Sequence, residues 1–338
     1  MTDGSASGER GDRPLKRIVL IGGYGAVGRE AAALLTRWYP GSVVVAGRNP
    51  RALPGTSALR LDLDDPADLG RALDGADVVV LCVDHDNAAV ARACFERGIH
   101  YVDVSADHER LLAVERLHDL AVEHGASGVL SVGLAPGITN LLARQVTGHE
   151  VRIGVLLGSG EAHGPAALAW TLDGLAGMGR PWRMPFPAPY GRRKVYGFPF
   201  SDQYSLPRTS EAVDVRTGMC LDSRAMTAVL AAARLPGLAR LLAAAPVRRA
   251  LLALLGRVHL GSDGFAVTAR SAYDSASFTG RRQSRTTGVV AALAVRELAS
   301  LPPGVRHLDA CVDPAPFLTE AARWDGTGAA HYDQSDVT

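Results

Sequence analysis

Gly22, Gly25 and Gly28 recur every third residue in "RIVLIGGYGAVGREAAALL", residues 17–35. Glycines at this spacing suit one chemistry well, because they let bare backbone N–H groups close on a phosphate. An apolar run leads into them and an alanine-rich segment of helical period leads out. The turn therefore joins a buried strand to a helix N-terminus, where free N–H groups and the helix dipole favour an anion. Gly22 abuts the strand and permits the tight turn. Gly25 leaves room for backbone to approach a pyrophosphate, and Gly28 lets the helix pack closely on the strand. Gly23 offers the alternative GxGxxG register. The expected contacts of a dinucleotide here are Gly22, Gly23, Tyr24, Gly25, Ala26, Val27 and Gly28.

The end of the next strand selects the dinucleotide. An NAD site wants a carboxylate about 20 residues beyond the glycines to accept from the ribose 2′-hydroxyl. Here the sequence is "VVVAGRNP", with Gly47, Arg48 and Asn49 and no acid. A guanidinium at Arg48 pairs with a 2′-phosphate and stacks on adenine, which points to NADP(H). Asp62, in "RLDLDD", has two open roles, an adenine amine contact or a place among helix-capping acids. Cys82 completes the expected cofactor contacts of the strands.

These residues need a sheet to present them. Strand-like runs lie at 17–21, 42–46, 58–63, 77–83, 100–105 and 127–132, and helical patterns lie at 26–38, 66–73, 86–97 and 107–124. Alternation of this kind predicts an α/β fold, a doubly wound parallel Rossmann sheet of six strands over residues 15–150. The rhythm breaks afterwards, and 151–325 reads as a second, α+β domain for substrate and dimerisation. Within it "VRIGVLLG" and "GFAVTARSAY" read as strands, and "GPAALAWTLDGLAG" and "TTGVVAALAVRELASL" as helices. "RPWRMPFPAPYGRRK", with four prolines, reads as irregular. The Ala/Leu-rich stretch 223–257 reads as core and subunit-interface helices. Residues 1–14 and 326–338 read as disordered tails.

The totals exclude several classes. A formal net charge of +1 over 338 residues argues against a nucleic-acid binder. No run of 18 apolar residues suggests a membrane span. The four cysteines, Cys82, Cys94, Cys220 and Cys311, have no zinc spacing, so no metal is expected. Scattered thiols and the lack of an apolar leader fit a cytoplasmic protein.

"VLIGGYGAVG", "GRNP", "LDLDD", "GADVVVLCV", "ACFERGIHYVDVSAD" and "VLSVGLAPGITNLLA" occur in the order seen in saccharopine dehydrogenase-like proteins, and the chain resembles that family over roughly 17–147. "TTGVVAALAVREL" with "PPGV" is similar to the family's late helix and tail. The resemblance implies an NADPH-dependent oxidoreductase, dimeric and active in amino acid metabolism, that reduces an imine formed from an amine and a carbonyl compound. Reduction of a carbonyl or activated alkene, or NADP binding without catalysis, are the alternatives. The family's "DPG" is Ala135-Pro136-Gly137 here, which removes an acid.

Ligands of such sheets lie beyond the carboxyl ends of the strands. Imine reduction needs orientation and a proton donor near neutral pKa. The candidates are His85 after strand four, and Tyr101 and Asp103, which share a face of strand five. Pro136 and Gly137 are expected to shape the nicotinamide pocket, with Asn140 reaching into it. A small-molecule substrate bearing a carboxylate would find Arg270, inside an apolar strand pattern, as a buried partner. Arg180, Arg183, Arg192, Arg193, Lys194, Arg281, Arg282 and Arg285 form looser basic clusters.

Overall fold

A computed structural model describes residues 15–161, 165–232, 244, 246–249 and 261–334. Residues 1–14, expected as a tail, lie outside the described residues. The strands in chain order are β1 Ile18–Ile21, β2 Val43–Gly47, β3 Ser57–Arg60, β4 Val78–Leu81, β5 His100–Asp103, β6 Ser127–Leu130, β7 Glu150–Leu157, β8 Pro181–Phe186, β9 Gly191–Gly197, β10 Asp214–Leu221, β11 Gly264–Arg270, β12 Asp274–Arg281, β13 Gly304–His307 and β14 Ala329–Gln334. The chain divides into two compact units. One comprises residues up to Ser105, Glu109–Leu130 and Ala291–Arg306; the other comprises Ala106–His108, Ser131–Val290 and the residues from His307 onward. The first division falls at Leu130, ahead of residue 150, and a late segment returns to the first unit.

The first unit holds a sheet of order β13-β6-β5-β4-β1-β2-β3, with β1 parallel to both β2 and β4. This is the Rossmann order with one strand added. The runs "IVLI" and "VVVL" are buried along their whole length, as strands covered on both faces must be. At the edge, β3 is mostly exposed and reads "SALR". The helix Ala26–Trp38 buries Gly28, Ala31, Ala32 and Leu35, one stripe at helical spacing. The helix Pro66–Leu73 has Pro66 in its first turn, and the Asp65 carboxylate accepts from Ala67 N, a capped start.

Three expectations change. The single helix at 107–124 is two, His108–Glu115 and His118–Glu123, with Leu117 (ψ 11°) between them. After that break, Val305 N donates to His118 Nδ1 at 3.1 Å, and Gly304 lies against the same ring. The sheet also has a seventh strand. "PPGV" supplies β13, where Gly304 N donates to Ala126 O at 2.8 Å. Ser127 Oγ donates to the Leu301 and Pro302 carbonyls, both at 3.3 Å.

The second unit holds a mixed sheet of order β14-β12-β11-β7-β10-β9-β8. β7 and β10 are parallel, and β11 is antiparallel to β7 and to β12. The third change concerns "RPWRMPFPAPYGRRK", which is the hairpin β8–β9, not an irregular segment. Pro181 and Pro185 are tolerated because β8 is the sheet's edge strand. Pro187–Tyr190 forms the turn, with a cis Ala188–Pro189 bond and Tyr190 N donating to Pro187 O at 3.0 Å. Gly154 and Gly218 stand opposite each other in β7 and β10. A Cβ on Gly154 would strike Met184 and Phe186, and one on Gly218 would strike Trp182. The paired glycines thus make the groove that the hairpin's apolar face fills.

Of the expected tail 326–338, residues 326–334 are structured, and 335–338 lie outside the described residues. Gly326, at φ 74°, ends the helix Pro314–Asp325, and the chain turns back as β14 against β12. A polar, glycine-rich segment is ordered here because the β12 edge offers it a ladder of hydrogen bonds. The helix expected from "TTGVVAALAVRELASL" spans Gln283–Glu297. Glu161 accepts from its first N–H groups, Gln283 N at 2.7 Å and Ser284 N at 2.9 Å. Of the Ala/Leu-rich stretch, Arg224–Ala232 is helical; residues 233–243, 245 and 250–257 lie outside the described residues.

Candidate functional site

The glycine turn has the form its spacing predicts. Gly22 has φ 78°, a region closed to most side chains, and Gly25 N donates to its carbonyl at 3.0 Å. Gly28 packs so tightly that a Cβ would lie 2.5 Å from Gly23 Cα and 2.6 Å from Gly22 O. Gly23 serves packing as well, since its Cβ would lie 2.7 Å from Val45 Cγ1. Gly25 differs. It takes the ordinary extended conformation (φ −71°, ψ 174°) as N-cap of the helix, and, lacking a side chain, it leaves the first N–H groups uncapped. A Cβ there would meet only Gly22 O, at 3.3 Å. The first N–H groups of the helix have no intrahelical partner, and no acid stands in its first turn. A cradle of open backbone at a helix N-terminus fits a pyrophosphate.

Tyr24 ties this turn to the end of β2. Its hydroxyl donates to Val45 O at 3.1 Å and accepts from Arg51 N at 3.1 Å, while its ring covers Gly47. The Arg51 guanidinium sits 5.4 Å from the ring centroid. Arg48 and Asn49 follow β2, both exposed. Sequence reasoning passed over Arg51, although a second basic residue three positions after Arg48 was its signal.

Asp62 stands ahead of a helix whose cap is the nearby Asp65. The Asp62 Oδ1 accepts from Asp64 N at 3.3 Å. His85 is drawn into the same loop, with Nε2 3.0 Å from Asp64 Oδ1. That loop follows β3 and His85 follows β4, so the contact spans the ends of two strands that β1 and β2 separate.

Tyr101 and Asp103 do come together. The Tyr101 hydroxyl donates to Asp103 Oδ2 at 2.7 Å. Asn87 Nδ2 donates to both carboxylate oxygens, at 3.1 and 2.9 Å, and Ser105 N donates to Oδ1 at 2.8 Å. All of Asp103, Tyr101 and Asn87 are buried. Burial raises the Asp103 pKa against the opposing pull of these donors. Burial, and then the Asp103 charge, hold the Tyr101 phenol well above its usual range. A carboxylate with four hydrogen bonds from three donor groups and no exposed surface does not anchor a substrate amine, so the expected contact is corrected to a positioning one: it fixes the ends of β4 and β5. Asn87 was visible only as a residue after strand four; an amide in the first turn of a helix, capped by Asp86, gave no hint of its buried partner. Burial pushes the nearby Cys82 thiol up to about 12.

In the second unit, "GLAPGI" forms a tight, buried loop with a cis Ala135–Pro136 bond and Gly137 at φ 127°. Asn140 does not reach out of it. Its Oδ1 accepts from Gly137 N at 3.2 Å, and its Nδ2 donates to Ser205 Oγ at 3.1 Å and Asp309 Oδ1 at 3.2 Å. Every polar atom of this buried amide is thus engaged within the protein. Arg270 is the last residue of β11 and is exposed, so it is not the buried carboxylate partner its apolar surroundings suggested. The strand's other residues are buried, and the arginine escapes at the end.

Residues 18–132 match the family described as saccharopine dehydrogenase NADP binding domain. Among solved structures, the chain is similar to a saccharopine dehydrogenase (L-Glu forming) from Saccharomyces cerevisiae, with a TM-score of 0.60 and 14% identity over 94% of this chain and 99% of that one. It is also similar to a homospermidine synthase from Legionella pneumophila solved with NAD, with a TM-score of 0.62 and 12% identity over 94% of this chain and 91% of that one. At such identities the likeness is one of fold. Among the described residues, no helix is long and apolar enough to cross a membrane.

Proposed function

We propose that this chain, an NADP-binding oxidoreductase of the saccharopine dehydrogenase-like family, reduces the C=N bond of an imine formed from an amine or amino acid and a carbonyl compound. Bound NADPH supplies the hydride. The observation that carries the cofactor half of this reading is the open Gly25 face beside an acid-free β2 end, where Arg48 is exposed. The protein's own residues bind and orient. The glycine turn and the N-terminus of the helix Ala26–Trp38 hold the pyrophosphate, and Arg48 takes the 2′-phosphate. Tyr101, Asp103 and Asn87 keep the ends of β4 and β5 rigid, and Pro136 and Gly137 shape the second unit's loop. The C=N half rests on the family resemblance.

The test is NADPH oxidation with panels of amines and keto acids, followed by product analysis with deuterated NADPH. Deuterium on a carbon newly bonded to nitrogen is the expected result. Deuterium on a carbinol carbon, with no C–N bond formed, would replace the imine by a carbonyl. The sequestered Asp103, together with Ala135 in place of an acid, favours a second reading, NADP binding without turnover; tight NADPH binding with no oxidation across the panel would select it.

A further inference from the structure

A cavity of about 440 Å³ opens in the second unit, between the β8–β9 hairpin and the helix Asp202–Thr209. Arg152, Arg180 and Arg216 line it, and no acidic residue does. Two of the three guanidinium groups are already engaged at Asp214. Arg152 Nη2 lies 3.0 Å from Asp214 Oδ2, and Arg216 Nε lies 3.2 Å from Oδ1. Glu150 adds a longer contact to Arg152 at 3.5 Å. Arg180 is exposed and has no ion-pair partner among the described residues. The positive charge left over at the cavity is close to one.

The walls point to the shape of a ligand. The Trp182 ring packs against Gly218, where a Cβ would lie 2.5 Å from its Cη2, and its Nε1 is buried without an acceptor. A buried N–H left unpaired is costly, and the group beside it in a bound ligand should be an acceptor. Tyr204 is 43% exposed. Its ring is held by stacking on His108, with centroids 4.2 Å apart and planes 16° from parallel. Gly179 and Gly197 run backbone to backbone, with Gly179 N donating to Gly197 O at 2.9 Å. No side chain rises from either glycine into the slot they border.

We propose that this pocket binds a flat organic monoanion, an arene carboxylate, with its carboxylate on Arg180, an acceptor at Trp182 Nε1 and its ring between Trp182 and Tyr204. A single unpaired guanidinium matches the one charge of a carboxylate better than the mixed single and double charge of phosphate near neutral pH. The volume falls in the range of small-molecule sites, roughly 300–1,000 Å³. Binding here needs neither cofactor nor turnover.

Calorimetric titration of the full chain without cofactor tests it, with benzoate and 2-naphthoate as probes, benzamide as the uncharged control and inorganic phosphate as the anion without a ring. The arene carboxylates should bind saturably at one site per chain, and benzamide and phosphate about tenfold more weakly or worse. Arg180→Ala removes an exposed side chain and should weaken the carboxylates by about tenfold or more, the scale of a charge-assisted hydrogen bond. Trp182→Phe keeps a ring but loses the donor, and should weaken them several-fold. NADPH affinity, measured on the same samples, should not change in either variant and reports that both are folded. Absence of saturable binding, or equal affinity in Arg180→Ala and the parent chain, overturns the site. Phosphate binding as tightly as naphthoate overturns the flat-ring class.

Discussion

Two glycines of one motif should fail in opposite ways. Gly25→Ala places a Cβ 3.3 Å from Gly22 O and otherwise in open space, on a backbone of ordinary conformation. Folding stability should barely move. The lost freedom of the unfolded chain stabilises by about 0.4–1 kcal/mol, and alanine is a poorer N-cap than glycine by about the same amount. The same methyl group stands where the pyrophosphate approaches. If it displaces two charge-assisted N–H bonds at about 1.5 kcal/mol each, NADPH affinity falls by about 3 kcal/mol, on the order of a hundredfold. Gly28→Ala meets Gly23 Cα at 2.5 Å and Gly22 O at 2.6 Å. Both are backbone atoms that no rotamer change can move. Overpacking of this kind costs up to about 3 kcal/mol, and the helix-propensity gain returns about 1. A net loss near 2 kcal/mol should appear in urea denaturation. Urea melts and NADPH calorimetry on both variants are the assays. A Gly25→Ala protein of parent stability that binds NADPH normally refutes the cradle. A Gly28→Ala protein as stable as the parent refutes the close approach.

Arg48→Ala should weaken NADPH by about 1.5–3 kcal/mol, the range for hydrogen bonds to a charged group, and leave NADH unchanged in parallel calorimetry; equal losses for both would remove the 2′-phosphate assignment. Asp103→Asn turns an NH₂ toward donors from Asn87 and Tyr101 and should cost about 1–3 kcal/mol of stability, read by urea denaturation. Asp202, wholly buried and accepting from Thr217 Oγ1 at 2.6 Å, has its pKa raised by burial to about 6. A carboxyl with a raised folded pKa favours the folded state more as pH falls from that value toward the unfolded one, near 4. Asp202→Asn should flatten the stability profile across that window, and an unchanged pH slope would contradict it. Asp274 behaves in the other sense. Hydrogen bonds from Thr147, Ser271 and Tyr332 outweigh burial and hold its pKa down, so its contribution should be lost in acid. Asp274→Ala leaves Thr147 N without its acceptor at 3.0 Å and should cost about 1–3 kcal/mol in neutral urea melts.

The cofactor turn was legible because each of its residues acts locally. Backbone freedom at Gly22, close packing at Gly28 and an exposed guanidinium at Arg48 need only the strand before and the helix after. The catalytic expectations drew on composition at strand ends, which says where a side chain begins and not what surrounds it. Asp103 was correctly placed at the end of β5, but Asn87, 16 positions away, and the Tyr101 hydroxyl close over it. His85 is paired with Asp64, 21 positions distant. Asn140 was held by Asp309, 169 positions distant. The same limit hid β8, β13 and β14. Proline at Pro181 and Pro185 forbids a central strand but not an edge, and whether a strand is an edge is decided by the rest of the sheet.

The seventh strand gives synthesis of this protein a particular order of events. Ser127 is made 174 positions before Leu301, whose carbonyl its hydroxyl reaches. At roughly 5–20 residues per second, translation takes roughly 10 to 35 seconds to cover that stretch. Throughout that time β6, buried along its length in the finished sheet, stands as an open edge on a nascent domain. Its unpaired N–H and C=O groups are available to any passing strand. A chain cut after residue 150 would keep that edge for good. It should therefore be the form of this protein that aggregates, even though its dinucleotide turn is complete.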